Sequence, residues 1–178
     1  MSEPRKRVDI VHFRGKGENH VAARNLLRDT GDLVLIERGR PRSIVMLCPC
    51  GCGDELVVNL DARAGPAWYL YQNKKGITLY PSVWRESGCG SHFIIWSNRV
   101  YWCDYESLWD TDVVESSLDD TVSSFLDAKD FLHYKDIAVQ LGEIPWDILI
   151  VCRRLVKRGA LREGIGKHKG YFRKLAKR

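Results

Sequence analysis

No stretch of this 178-residue chain is apolar for long enough to cross a bilayer. One of its longest apolar runs, Ile144 to Cys152, is short and carries Asp147, whereas a spanning helix needs about 20 predominantly apolar residues. The opening segment MSEPRKRVDIVHF is basic but has no apolar stretch of leader length. Together these absences give the expectation of a cytoplasmic protein with no membrane partner. There is no repeat at a fixed period and no low-complexity segment, which excludes solenoids and compositionally biased tails. Cysteine is sparse, at six residues. Disulfides are disfavoured in a reducing compartment, so clustered cysteines there point to metal rather than to a disulfide framework.

What is present is globular in composition, 44% hydrophobic and 29% charged. The net charge of +5 is unevenly spread: Asp104 to Asp130 holds nine acidic residues and one lysine, and Arg153 to Arg178 holds eleven Lys/Arg and one Glu. The basic end reads equally as an electrostatic footprint for nucleic acid and as a solvated face.

Three of the six cysteines fall in CPCGCG, as Cys48, Cys50 and Cys52. About forty residues on, SGCGSHF supplies Cys89 and His92 at C-x-x-H spacing. A tetrahedral structural zinc takes four ligands, usually as two close groups, so five candidates compete for four positions. The glycines around them permit turns that aim backbone N–H groups at thiolate sulfur. Cys103 and Cys152 stand apart, and Cys152 sits in DILIVCRRL, where a free cysteine is a small core residue.

The pattern along the chain is α+β. HVAARNLLRDTG has helical spacing and a glycine stop. LVLIERGRPRSIVMLC reads as strand, turn, strand, leading into the cysteine knuckle, and ELVVNL leaves it as another strand. AWYLYQNKKGITLYPS and SHFIIWSNRVYWC read as hairpins turning at NKKG and SNR. This makes a small antiparallel β domain, assigned to residues 1–103. Its aromatic residues (Trp68, Tyr69, Tyr71, Tyr80, Trp84, Phe93, Trp96, Tyr101, Trp102) are expected to pack the sheet faces. So thin a core gains most from a metal staple. Residues 104–130 form an acidic linker or helix. In 131–178, HYKDIAVQLGE and IPWDILIVCRRLVKRG read as helices, with Pro145 in a first turn and Gly159 after an end. ALREGIGKHKGYFRKL then reads as two strands around a basic tip. That order is the order of a winged helix-turn-helix.

If His92 is a zinc ligand, the metal site is closed and structural. If the four cysteines close it, His92 is free to act as a general base. Ser91 adjoins it in sequence, and Ser82 ends the strand ITLYPS. Adjacent residues on a strand point to opposite faces, which favours Ser82 as partner where the chain is extended.

Taken together, LCPCGCGDELVV, ITLYPSVW and CGSHFIIWSNRVYW resemble the bacterial uncharacterised-domain family numbered 6527. Its pattern is a C-x-C-G-C-G knuckle, L-x-P-S, C-x-S-H and N-[RK]-V-x-W, in that order. The similarity runs from about Leu33 to Trp102. The resemblance implies a zinc-stapled β domain with Cys48, Cys50, Cys52 and Cys89 as ligands. It also implies a peptidase that processes or deconjugates a ubiquitin-like protein, alongside E1-like and E2-like enzymes as partners. Ser82 or Ser91 would be the nucleophile and His92 the base, with N–H groups of the glycine loop near Cys89 serving the oxyanion. The chain departs from the family pattern by about seventy-five added C-terminal residues.

That addition supports an alternative: a zinc-stapled DNA-binding regulator, or a non-catalytic protein adaptor. In the DNA reading Arg153, Arg154, Lys157, Arg162, Lys167, Lys169 and Arg173 would meet phosphates. The start of the second helix, apolar plus Asp147, is poor for reading bases.

Overall fold

The computed structural model describes residues 6–103, 114 and 116–175. The chain divides into two compact units, Met1–Leu108 and Trp109–Arg178. Much of the acidic segment read as a linker, residues 104–113 and 115, lies outside the described residues, as does the end of the basic tail.

The first unit holds two four-stranded sheets. One contains β1 (His12–Gly17), β2 (Asp32–Glu37), β3 (Pro41–Leu47) and β4 (Glu55–Asn59), side by side in that order. The other contains β5 (Tyr69–Asn73), β6 (Gly76–Trp84), β7 (His92–Trp96) and β8 (Arg99–Trp102), again in chain order. Strands β2 and β3 read as nearly continuous apolar runs because both faces are covered. Leu33, Leu35, Ile44 and Met46 enter the main core, with Leu79, Phe93 and Ile95 of the second sheet. Val34, Ile36 and Val45 face the other way, against Ala23 of the short helix α1 (His20–Arg24) and Leu27 beyond it.

The expected hairpins are present. Lys74 and Lys75 turn β5 into β6. Ser97 and Asn98 turn β7 into β8 with φ of 52° and 64°, the pair of left-handed residues that matches the twist of a two-residue hairpin. Two expectations need correction. The first sheet is not wholly antiparallel, because β1 pairs parallel to β2; its sequence HFRGKG lacks alternation and did not signal a strand. Nor do all the aromatics pack the sheets: Tyr69 is 65% exposed and Trp84 61%.

The second unit contains α2 (Ser117–Phe125), β9 (Leu132–His133), α3 (Tyr134–Leu141), α4 (Pro145–Lys157), β10 (Leu161–Glu163) and β11 (Tyr171–Lys174). The three strands form a sheet in the order β10, β11, β9. Helix α3 ends on Gly142 at φ 68°, and α4 carries Pro145 at its start, both terminators as the sequence implied. Ile137, Ile148, Ile150, Val151, Leu161 and Phe172 are buried. No helix among the described residues is long and apolar enough to cross a membrane.

Candidate active site

The cysteine knuckle lies in the turn between β3 and β4, not on a strand. Gly51 there adopts φ 78°, and an added Cβ would meet the Lys6 carbonyl oxygen at 2.8 Å, so the turn needs glycine for both conformation and space. Cys48 and Cys50 are buried, Cys52 and Cys89 partly so, and none is in a disulfide. Cys89 arrives from the loop between β6 and β7.

The four Sγ atoms lie within 4.8 Å of one another. Cys48 Sγ is 3.3 Å from Cys50 Sγ and 3.8 Å from Cys89 Sγ. A tetrahedral zinc with Zn–S bonds of about 2.3 Å sets its sulfurs about 3.8 Å apart. The donor set therefore fits: this is a four-cysteine cluster that could bind a metal such as zinc. His92 is not one of the four.

The electrostatics around the sulfurs are uneven. Burial pushes the Cys48 and Cys52 thiols up. Burial also opposes ionisation of Cys89, but hydrogen bonds from Ser91, and then from Cys50 and Cys48, outweigh it and bring Cys89 to about 6. Ser91 Oγ is 3.2 Å from Cys89 Sγ. Arg85 adds a cation: its Nη1 donates to Asp54 Oδ2 at 2.7 Å and to Cys89 Sγ at 3.6 Å.

His92 points elsewhere. Its Nε2 is 3.0 Å from Ser82 Oγ. The two strands create this contact. His92 opens β7 and pairs with Trp84 of β6, two residues beyond Ser82. The β6–β7 register shifts between Leu79 and Val83, so Ser82 sits in an irregular stretch beside the ring. Ser82 is half-buried and His92 likewise, whereas Ser91 is 6% exposed and faces the cysteines. Thus the structure brings Ser82, not Ser91, to the imidazole. Among the described residues no carboxylate hydrogen-bonds the His92 ring, which leaves a serine–histidine pair. The ring packs at 5.8 Å from that of Trp84, and the His92 carbonyl accepts from Cys103 N–H at 2.9 Å.

Two residues near the pair escaped the sequence reading of the site. Trp68 donates its indole N–H to the Ser82 carbonyl at 3.2 Å, which anchors the backbone at the hydroxyl. Arg85 ties the cysteine loop to β6. Nothing local in the sequence marks Trp68 out from the other aromatics, but Arg85 stands four residues before Cys89, close enough to be suspected of serving its charge.

The basic residues named for nucleic acid are divided. Arg154, 13% exposed, donates from Nε to both carboxylate oxygens of buried Asp119 at 3.1 Å and from Nη1 to the Val114 carbonyl at 2.9 Å. Arg153 reaches Glu163 at 3.9 Å. Arg162, Lys167 and Lys169 are exposed, as is Ile165 between them. Arg173 lies 4.8 Å over the Phe131 ring. Arg162, Ile165 and Arg173 line a cavity of about 580 Å³ with Phe131 and Tyr171.

No curated protein and no solved structure matches this chain. A family model does match, over residues 19–103, a span that contains the four cysteines, Ser82 and His92. By that match the β-rich segment of the chain is similar to the BubE family, described as the serine protease of a bacterial ubiquitination-like system.

Proposed function

We propose that Ser82 is the nucleophile of this protease and His92 its general base, and that the substrate carbonyl belongs to a ubiquitin-like protein, as a precursor or a conjugate. The 3.0 Å contact between Ser82 Oγ and His92 Nε2 carries the reading. For Nε2 to accept the hydroxyl proton, the neutral ring must carry its own proton on Nδ1. As Oγ bonds to the carbonyl carbon, its proton passes to Nε2. The resulting imidazolium then protonates the leaving amine or alcohol as the scissile bond breaks. Water, deprotonated by the same nitrogen, hydrolyses the acyl-serine and restores both groups. Trp68 keeps the Ser82 backbone fixed through these steps.

In this reading Cys48, Cys50, Cys52 and Cys89 hold a structural zinc. Bound there, the metal supplies a cross-link rather than reaction chemistry. It ties the β3–β4 turn to the loop that leads directly into His92. Ser91 and Arg85 serve the thiolates, Ser91 by hydrogen bond and Arg85 by charge. Partners of the ubiquitination-like system follow from the same assignment.

The test is labelling with a fluorophosphonate probe, which reacts with activated serines. Ser82→Ala and His92→Ala should abolish labelling with metal content unchanged, and Ser91→Ala should not. Labelling that survives Ser82→Ala would overturn the assignment.

A second reading concerns the C-terminal unit alone. Its elements follow the order α2, β9, α3, α4, β10, β11, which supports a winged-helix reading. Exposed Arg162 on β10, with exposed Lys167 and Lys169 at the tip of the β10–β11 hairpin, favours a polyanion contact. Nucleic acid would meet this tip rather than α4, whose Arg153 and Arg154 are engaged by carboxylates.

A further inference from the structure

Strand β4 is the last strand of its sheet. In an antiparallel ladder, alternate residues turn their N–H and C=O groups toward the partner strand. Leu60 N–H donates to the Arg42 carbonyl, and Cys48 N–H to the Asp54 carbonyl, both across the β3–β4 pair. By alternation Glu55, Val57 and Asn59 present their backbone groups to the open side. The Asn59 carbonyl is satisfied there by Trp68 N–H at 2.8 Å. Among the described residues nothing bonds the backbone of Val57, whose side chain is 53% exposed.

Strand β6 offers a second open edge opposite. Its partner β5 covers Gly76 to Tyr80 and no further. Beyond that point Val83 pairs with Phe93 and Trp84 with His92, and Arg85 N–H donates to the Ser91 carbonyl. The same alternation turns the backbone groups of Ser82 and Trp84 away from β7. That of Ser82 meets the Trp68 indole. That of Trp84 has no partner among the described residues.

These two edges line one groove of about 380 Å³, together with Leu56, Trp68 and Val83. Its β4 wall, Leu56 to Val58, is three residues long, or about 10 Å at roughly 3.3 Å per residue. Trp84 and Val57 bring exposed apolar surface to it. The groove follows β6 beyond the point where β5 ends, and two of its lining residues adjoin Ser82: Val83 as its chain neighbour and Trp68 through its indole bond to the Ser82 carbonyl.

We propose that an extended segment of the peptide substrate adds as a strand in this groove, between the backbone of Val57 and that of Trp84, with the scissile carbonyl delivered to Ser82. The proposal rests on Ser82 and His92 being the reacting pair. Main-chain hydrogen bonds supply the affinity of an added strand, and alternate side chains supply its specificity. The substrate segment is therefore unstructured, free of proline at the bonding positions, and apolar where it meets Trp84. A folded surface or a helix would satisfy neither edge.

The test uses the full-length protein and a quenched-fluorescence combinatorial peptide library, with fluorophosphonate labelling measured in parallel. Val57→Pro removes the outward N–H without breaking a β3 bond. It should lower kcat/KM on the best-cleaved peptide at least tenfold and leave the labelling rate unchanged. As a check independent of protein folding, that peptide is re-made with single backbone N-methyl groups. Methylation at alternate positions should block cleavage, and at the intervening ones should not. Unchanged cleavage by a folded Val57→Pro variant, insensitivity to N-methylation, or labelling of Ser82 with no peptide cut would each overturn the strand-addition mode. Failure of the wild type to label at Ser82 would instead overturn the catalytic assignment, and the inference with it.

Discussion

Ser82 Oγ and His92 Nε2 lie 3.0 Å apart although ten residues separate them in sequence. Ser91, adjacent to His92, turns its hydroxyl to Cys89. A strand sends neighbours to opposite faces, so the residue next to the histidine cannot serve it and a residue on the paired strand can. Replacing either Ser82 or His92 by alanine should therefore lower peptide hydrolysis by about 10³-fold or more, since the pair acts as a unit. The double variant should be no worse than the singles. A Ser82→Ala protein that retained a tenth of its activity would exclude it as nucleophile.

Ser91→Ala separates the metal site from the reaction. Its hydroxyl donates to Cys89 when that sulfur is a thiolate, and this hydrogen bond helps bring the thiol to about 6. Loss of such a supporting bond typically costs about 10- to 100-fold in metal affinity. Competition with a chromophoric chelator should show weaker zinc retention, while the zinc-saturated variant keeps its rate. A variant inactive when saturated would give Ser91 a role in the chemistry instead.

Much of the first unit was legible because its signals are local. The Ser97–Asn98 hairpin and the strand runs flanking the knuckle each follow from a few adjacent residues, as do, in the second unit, the end of α3 at Gly142 and the start of α4 at Pro145. The four-cysteine cluster was legible as two groups of ligands: spacing alone left five candidates for four positions, and the family resemblance named the four cysteines that the structure brings together, with His92 turned to Ser82. Strand β1 was missed because HFRGKG has neither alternation nor an apolar run, and its pairing is fixed by β2. Exposure of Trp84 was missed for a different reason: an aromatic beside an open edge has the same sequence signature as one within a core. The groove depends on where β5 ends relative to β6, which no local pattern encodes.

Asp32 gives a pH-dependent stability test in the first sheet. Its side chain is buried, and burial alone would raise it. The N–H groups of Asp29 and Arg28, at 3.0 and 2.8 Å, and Arg14 Nε at 2.7 Å outweigh that and hold it below the ordinary carboxylate value. Because the folded state binds this proton less tightly than the unfolded chain, its contribution is fully present above the unfolded value of about 4 and is lost as pH falls through the folded one. Asp32→Asn should be destabilised by about 2–3 kcal/mol at neutral pH, and the gap from wild type should narrow on acidification. A gap that is constant down to pH 3 in denaturant titrations would show that the charge contributes nothing.

In the second unit one buried carboxylate holds two helices together. Asp119 of α2, 6% exposed at its side chain, accepts from Arg154 and, at 2.6 Å, from Arg158 Nη1. Removing one partner from a buried ion pair leaves the other charge desolvated and unpaired, at a cost of about 3–5 kcal/mol. Asp119→Ala should therefore loosen α2 from α4, seen as faster amide hydrogen exchange in both helices. Arg158→Ala should cost much less, because its own side chain is 58% exposed and such pairs are worth about 0–1 kcal/mol. If nucleic acid binds this unit through its hairpin tip, Lys167→Ala with Lys169→Ala should lessen the salt dependence of binding by about two counterions on the slope, with hydrogen exchange in α2 and α4 unchanged. Arg154→Ala would show the converse, a loss of protection in both helices before any change in salt slope, because its guanidinium is spent on Asp119 and the Val114 carbonyl.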